Sequence, residues 1–371
     1  PPGQVYASSA FAAVAANHGA AGVDHVTIAQ FAARLPENLE HLHASLQVGT
    51  YVPQAVRRVW IPKPGTNQQR PLGIPTVRDR VAQAALRTVL EPIFERDFAE
   101  QSYGFRPGRG CQDALARVDE LLKAGYTYVV DADLKSYFDT IPHDKLMDRL
   151  RQKVADGRVL ALIEAFLKAG ILDGLEEWTP EEGSPQGSVI SPLLSNIYLD
   201  PLDHRMAAAG FQMVRYADDF VILCESEAEA REVMEQLRDW VEKAGLILHP
   251  TKTRIVEARQ KGGFDFLGYH FERGHRWPRK KSLDKFKEAI RQKTGRLRTG
   301  SMGSIVQEVN RTLRGWFGYF KHSSRSTFRP LDSWVRGRLR TIERKRHKLQ
   351  GRARGRDHQR WPNDYFTLLG L

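Results

Sequence analysis

Two periodicities alternate along the chain. Short runs of apolar or alternating residues read as strands, and longer runs with an apolar residue every three or four positions read as helices. Val59-Trp60-Ile61-Pro62-Lys63 and Arg70-Pro71-Leu72-Gly73-Ile74-Pro75 predict two short strands around a polar turn at Gly65 to Gln69. Asp79 to Phe98 predicts a helix with Val81, Ala85, Val89 and Phe94 on one face. Asp113 to Ala124 predicts another, stopped by Gly125. Tyr126 to Asp131 is rich in β-branched and aromatic residues and predicts a strand. Gly183 to Pro192 is a Gly- and Pro-bearing turn leading into an uncharged helix, Leu193 to Leu199. Apolar runs flank Tyr216-Ala217-Asp218-Asp219 and predict a β-hairpin with adjacent carboxylates at its tip. Ser226-Glu227-Ala228-Glu229 is a capping box that opens a helix with Val233, Leu237, Val241 and Ala244 on one face. Phe264 to Tyr269 reads as the last strand. Leu283 to Arg298, Ser304 to Phe320 and Leu331 to Lys348 then each carry one apolar stripe and predict a small helical bundle. The mixture is an α/β (α+β) pattern followed by an all-helical part.

Charge sharpens that division. The 371 residues carry a net charge of +12, with 41% hydrophobic and 27% charged residues. From Phe271 onward there are about 27 Lys and Arg against about 8 Asp and Glu, which leaves residues 1–270 at about −7. A basic C-terminal part on a slightly acidic body predicts a polyanion partner. The two cysteines, Cys111 and Cys224, exclude a Cys-based zinc site and point to a reducing compartment. The uncharged run Gly183 to Leu199 is broken by Pro185 and Pro192 and spans no membrane. The N-terminus has neither Met nor a signal pattern, as a trimmed chain would.

Several residue sets carry candidate chemistry, each with a plainer alternative. Asp218 and Asp219 are either a solvated turn or oxygen ligands for a hard divalent cation. Asp131, at the end of its predicted strand, is either a third ligand or a helix N-cap. Lys63 and Arg70 are either a solvated face or a grip for a triphosphate. Arg106 and Arg109 lie among Gly and aromatics in Ser102 to Gly110, in a structural turn or along a nucleic-acid backbone. Gln186 sits where backbone can approach a sugar or phosphate. Arg336, Arg340, Arg344, Lys345 and Arg346 fall mostly on the outer face of the last predicted helix and are candidates to bind nucleic acid.

In order, these blocks resemble the reverse transcriptases encoded by group II introns, the maturases. The resemblance rests on Gly19-Ala20-Ala21-Gly22-Val23-Asp24, Ile61-Pro62-Lys63, Arg70 to Pro75, Ser102-Tyr103-Gly104-Phe105-Arg106, Asp133-Leu134-Lys135-Ser136-Tyr137-Phe138-Asp139, Ser184-Pro185-Gln186-Gly187, Tyr216-Ala217-Asp218-Asp219, Pro250-Thr251-Lys252-Thr253 and Phe266-Leu267-Gly268-Tyr269. It implies a right-hand polymerase, with fingers and a palm bearing an antiparallel sheet over residues 1–270 and an α-helical thumb, or maturase (X) domain, over 271–371. It also implies that Asp133, rather than Asp131, joins Asp218 and Asp219 in holding two Mg2+ ions, with Mn2+ as a substitute. Leu134 would add a backbone carbonyl. Lys63 and Arg70 would hold the incoming triphosphate, Gln186 its sugar, and Phe138 would exclude a 2′-hydroxyl by clash. Tyr216 would lie near the primer end, and Lys252 would protonate the leaving pyrophosphate.

The partners so implied are an RNA template with a DNA or RNA primer, deoxynucleoside triphosphates and group II intron RNA, with a role in splicing and retrohoming and no membrane. A bacterial cytoplasmic location, near the nucleoid, goes with them. Ser184-Pro185-Gln186-Gly187 separates the chain from diversity-generating retroelement enzymes. Two cysteines do not supply the Cys pairs of the endonuclease domain many relatives carry, which implies an endonuclease-lacking type or a relative domesticated for host defence or repair. The alternative from another class is an RNA-binding splicing factor with no essential polymerase role.

Overall fold

Contacts divide the chain into two compact units, one ending at Ile255 and one beginning at Val256. The sequence reading put the junction at 270/271, where the charge changes. The computed structural model describes residues 2–62, 69–353 and 355–371. Lys63 and the polar turn from Gly65 fall outside these, apart from Gln69.

The first unit holds two sheets. One has the order β2-β1-β4-β5, built from β1 (Val56–Pro62), β2 (Gln69–Ile74), β4 (Ile171–Asp173) and β5 (Glu176–Trp178). Its β1–β2 hairpin is antiparallel and sets Arg70 opposite Ile61. The other sheet has the order β6-β7-β3-β8, from β3 (Tyr128–Asp133), β6 (Gln212–Tyr216), β7 (Asp219–Cys224) and β8 (Arg254–Glu257). Its central strands are antiparallel and apolar on both faces: Val129, Val130, Phe220, Val221, Ile222 and Leu223 are fully buried. Helices cover it, as a strand buried on both sides requires.

β3 begins at Tyr128, two residues later than the composition indicates. Gly125 adopts φ +109° and ends the preceding helix, Cys111–Ala124, while the Tyr126 N–H still donates to the Leu121 carbonyl at 3.1 Å. That closure uses the backbone of 125 and 126, so the strand starts after it and runs on to Asp133. The helix Val77–Glu95 is capped by the Thr76 hydroxyl. Its buried line runs through Val77, Val81, Leu86, Leu90 and Phe94, while Val89, expected on that line, is exposed. The helix Ser191–Ala208 carries Pro192 in its first turn and extends well beyond Leu199. The Ser226 hydroxyl caps Glu227–Lys243 as expected, although the Glu229 carboxylate reaches the Glu225 N–H rather than that of Ser226.

In the second unit, β9 (Phe264–Phe266), β10 (Tyr269–Glu272) and β11 (His275–Pro278) form an antiparallel meander. The sequence reading ran the first two together as one strand. Leu267 and Gly268 both adopt positive φ and make the two-residue turn between them, and the apolar run hides that turn. The helices Lys280–Lys293, Met302–Phe320 and Phe328–Arg346 follow, with Phe286, Ile290, Ile305, Val309, Val335, Leu339 and Ile342 forming their core. Trp316 packs between Phe286 and Phe320, so the aromatic stripe is core. Two short helices, Gly355–Arg360 and Asn363–Leu368, complete this unit.

Candidate active site

The β6–β7 hairpin closes with Tyr216 opposite Asp219, leaving only Ala217 and Asp218 in the turn. Ala217 takes φ +59°, a conformation that costs a non-glycine residue about 1–2 kcal/mol. β7 also pairs with β3, and this register sets Asp133 directly opposite Asp219. Directly opposed residues share a face, with Cβ atoms about 5 Å apart. Asp131 lies opposite Val221 instead, and its carboxylate meets the Arg254 guanidinium at 3.3 Å. The two-residue shift of β3 is therefore what brings Asp133, and not Asp131, to the hairpin tip.

Electrostatics mark the tip as a place for a cation. Burial, and then the neighbouring Asp133 carboxylate, push the Asp218 carboxyl above the usual range. The Lys252 ammonium sits on the Asp133 carboxylate. Among the described residues no three His, Cys, Asp or Glu side chains form a ready metal cage. The donor set is hard carboxylate oxygen, one of its members already binds a cationic side chain, and another is pushed toward neutrality by burial and by its neighbour. Residues of that kind fit divalent cations held by few protein ligands and completed by phosphate or water. Beside them, the Lys135 N–H donates to Ile247 and the His249 N–H to the Asp133 carbonyl, a bridge in which the Leu134 carbonyl takes no part.

The segment Gly183 to Ser191 is laced to three neighbours. The Ser184 N–H donates to the Phe138 carbonyl at 2.6 Å, and the Gly73 N–H of β2 donates to the Gln186 carbonyl at 2.6 Å. The Gln83 amide oxygen accepts from the Ser188 hydroxyl (2.7 Å) and the Val189 N–H (2.8 Å). Phe138 belongs to the short 3-10 turn Tyr137–Asp139, entered through Ser136 at φ +50°. Phe138 and Gln186 are thus held on adjoining segments, and both are half-buried. Gln186 borders a cleft of about 630 Å3 walled by Trp60, Pro71, Gly73, Asp139 and Ser184, and none of the three aspartates lines it. Arg70 is exposed on β2. The Tyr216 hydroxyl is hydrogen-bonded with the Cys111 thiol, which with burial pushes it up to about 12.

Five arginines expected to meet nucleic acid are engaged within the protein. Arg106 is 8% exposed, pairs with Glu95 at 2.8 Å and donates to the Ala99 and Ser102 carbonyls at 2.6 and 2.8 Å. It knots its own loop, which the Gly and aromatic content alone did not reveal. Arg109 donates to the Glu100 carbonyl and lies over the Tyr103 ring. In the second unit Arg340 is 1% exposed and donates to the Trp361 carbonyl and the Asn363 side chain. Arg344 pairs with Asp357 at 2.8 Å. Arg336, half-buried, pairs with Asp332 and donates to the Asn363 carbonyl. The short helices after Gly355 supply acceptors that turn this face inward. Lys345 and Arg346 stay exposed, Arg346 also reaching the Gly300 carbonyl.

Beneath the turn lies a group the sequence reading passed over. Arg215, the residue before Tyr216, has no exposed surface. Its guanidinium binds both oxygens of buried Asp203 at 2.8 and 2.5 Å, and its third nitrogen donates to the Asn196 amide oxygen (3.0 Å) and the Ala217 carbonyl (2.9 Å). Burial works against its charge, and the Asp203 carboxylate outweighs burial and holds Arg215 protonated. An arginine inside an apolar strand was the available signal, since such a charge needs a buried partner.

An antiparallel sheet that sets strand-end and hairpin-tip carboxylates face to face defines a nucleic-acid polymerase of the palm-sheet class. Residues 61–271 match the model of the reverse transcriptases (RNA-dependent DNA polymerases), and residues 283–361 match the group II intron maturase-specific domain. The chain belongs to the reverse transcriptase family, in its group II intron branch. It is 37% identical to Protein YkfC of Escherichia coli over 291 residues, which cover 68% of this chain and 76% of that one. It is 42% identical to the group II intron-encoded protein LtrA of Lactococcus lactis over 167 residues, 45% of this chain and only 28% of LtrA. A Candida albicans telomerase structure shares the fold, with a TM-score of 0.51 at 12% identity, covering 82% of this chain and 62% of that one. Among the described residues no helix is long and apolar enough to cross a membrane.

Proposed function

We propose that this chain copies RNA into DNA from a primer end, with Asp133, Asp218 and Asp219 holding two Mg2+ ions, or Mn2+ in their place. The observation that carries the reading is the register that opposes Asp133 to Asp219, with Asp218 next to it in the turn. When bound, such ions neutralise the attacking and leaving oxygens of an in-line displacement. The protein's own groups bind and orient. Arg70 grips the triphosphate of a deoxynucleotide bidentately. Lys63, which lies outside the described residues, is its partner by resemblance. Phe138 presses on the sugar at C2′ while Gln186 holds that sugar from the adjoining segment. Leu134 offers its carbonyl toward the cations, Tyr216 packs at the primer end, and Lys252 holds the proton for the leaving pyrophosphate.

The part from 271 to the end, in this reading, binds group II intron RNA and assists its splicing and mobility. Its surplus of cations and its match to the maturase-specific domain support this. Unpaired Cys111 and Cys224 suit a reducing cytoplasm. The test is primer extension on an RNA template, run beside splicing of the RNA that flanks the reading frame. Extension is expected with Mg2+, is lost on chelation with EDTA and returns with Mg2+ or Mn2+. Accelerated splicing without extension under any of these ions would instead favour the splicing factor, and extension without splicing a domesticated enzyme.

A further inference from the structure

The turn that carries Asp218 is clamped from below and from one side. From below, Arg215 donates to the Ala217 carbonyl at 2.9 Å while Asp203 holds the guanidinium by two of its nitrogens. From the side, the segment Gln101 to Gly104 runs along β6: the Arg215 N–H donates to the Gln101 carbonyl at 2.9 Å and the Tyr103 N–H to the Arg215 carbonyl at 2.8 Å. A Cβ placed on Gly104 would stand 2.2 Å from the Ala217 nitrogen, so this glycine lets the loop press on the turn itself. Asn196 joins the two halves, accepting from Arg215 at 3.0 Å and donating to the Gly104 carbonyl at 2.8 Å. Arg215, Asp203 and Asn196 are each no more than 1% exposed.

We infer that Arg215, seated by Asp203 and Asn196, is a positioning residue for the polymerase reaction: it locks the left-handed Ala217 turn and so aims the Asp218 carboxylate. The inference rests on the reading of Asp218 as a metal ligand. The physical ground is over-determination. A non-glycine residue at positive φ persists only when its surroundings fix it, and here the Gly104 loop presses on the nitrogen of Ala217 while the Arg215 guanidinium holds its carbonyl. A buried ion pair adds little net stability over apolar side chains of similar size, so stability alone does not explain why a bidentate pair stands there. A guanidinium has enough donors in one plane to hold Asp203, Asn196 and Ala217 together, and an ammonium does not.

The experiment changes the pair as a pair. Arg215→Met with Asp203→Leu removes both charges together and strands neither, and thermal melting checks that the protein still folds. Hydrogen–deuterium exchange across residues 212–224, Mn2+ binding without nucleic acid, and kcat and KM for a deoxynucleotide are then measured. The amides at 217–219 are expected to exchange about tenfold faster while β3 and β7 keep their protection. Mn2+ affinity and kcat are expected to fall about 10- to 100-fold, as when an outer partner of a metal ligand is removed, with KM changed less than about twofold. Arg215→Lys keeps the contact with Asp203 but gives up the Ala217 carbonyl. It leaves that carbonyl and the Asn196 oxygen without a donor, so it is expected to fold with a lower melting temperature and to lose kcat at temperatures where it is fully folded, and it decides the matter should the double variant not fold. Wild-type exchange at 217–219 together with wild-type kcat in either folded variant overturns the inference. If the wild-type protein itself extends no primer, exchange and Mn2+ binding still decide the clamp, so the two failures are separable.

Discussion

At the hairpin tip a half-buried carboxylate stands beside a second one, with a lysine ammonium already on the latter. Asp218 and Asp219 were legible from sequence because apolar runs bracket them, and the hairpin reading placed both within a residue of where they lie. Asp133 was not legible from strand composition, which pointed to Asp131. The Gly125 closure that delays β3 is a backbone event, and only the resemblance compensated for it. The arginines were the least legible residues. Arg106 and Arg340 look alike in sequence to any surface cation, yet each satisfies main-chain carbonyls in the interior. What decides their role is the position of acceptors distant in sequence, which no local pattern encodes. Phe138 offers the sharpest residue-scale prediction. If Phe138 is the wall against the sugar edge, as proposed, Phe138→Ala should raise ribonucleotide use relative to deoxynucleotide by about 10- to 200-fold in competition assays. Unchanged sugar selection would detach Phe138 from that role.

In the proposed reading, the segment Gly183 to Ser191 carries the nucleotide side of the site. It was read as a turn allowing close approach, and it makes one: a Cβ on Gly187 would lie 2.5 Å from the Gly73 carbonyl, at φ +107°. Its anchor was invisible, because Gln83 lies about a hundred residues earlier on a helix read only for its apolar line. Gln83→Met keeps the volume but leaves the Ser188 hydroxyl and the Val189 N–H without their acceptor. The expected loss is about 1–3 kcal/mol in urea unfolding, with weaker deoxynucleotide binding because Gln186 loses its seat. A variant as stable as the wild type would show that the contacts with Phe138 and β2 hold the segment without Gln83. The missed turn at Leu267-Gly268 has the complementary cause: apolar residues continue straight through it, so periodicity reports one strand where backbone dihedrals make two.

At the scale of the whole molecule, the change in charge between the two parts tracks a change in architecture, from sheets with covering helices to a meander and a helical group. The helices of the second part were legible from their stripes. The short ones after Gly355 were not, and they remove Arg340 and Arg344 from the outer face. The exposed cations that remain set the next prediction: Lys345→Ala with Arg346→Ala should weaken intron RNA binding and lower the slope of log affinity against log salt by about 2. Extension of a short primer should continue as before, and an unaltered slope would move the RNA contact elsewhere. If the first unit holds a metal-dependent polymerase site, primer extension on an RNA template by Asp218→Ala beside the wild type reads that out. The variant is expected to melt like the wild type and to extend at least about a thousandfold more slowly. A folded Asp218→Ala protein that extends the primer at the wild-type rate would contradict that reading of the site.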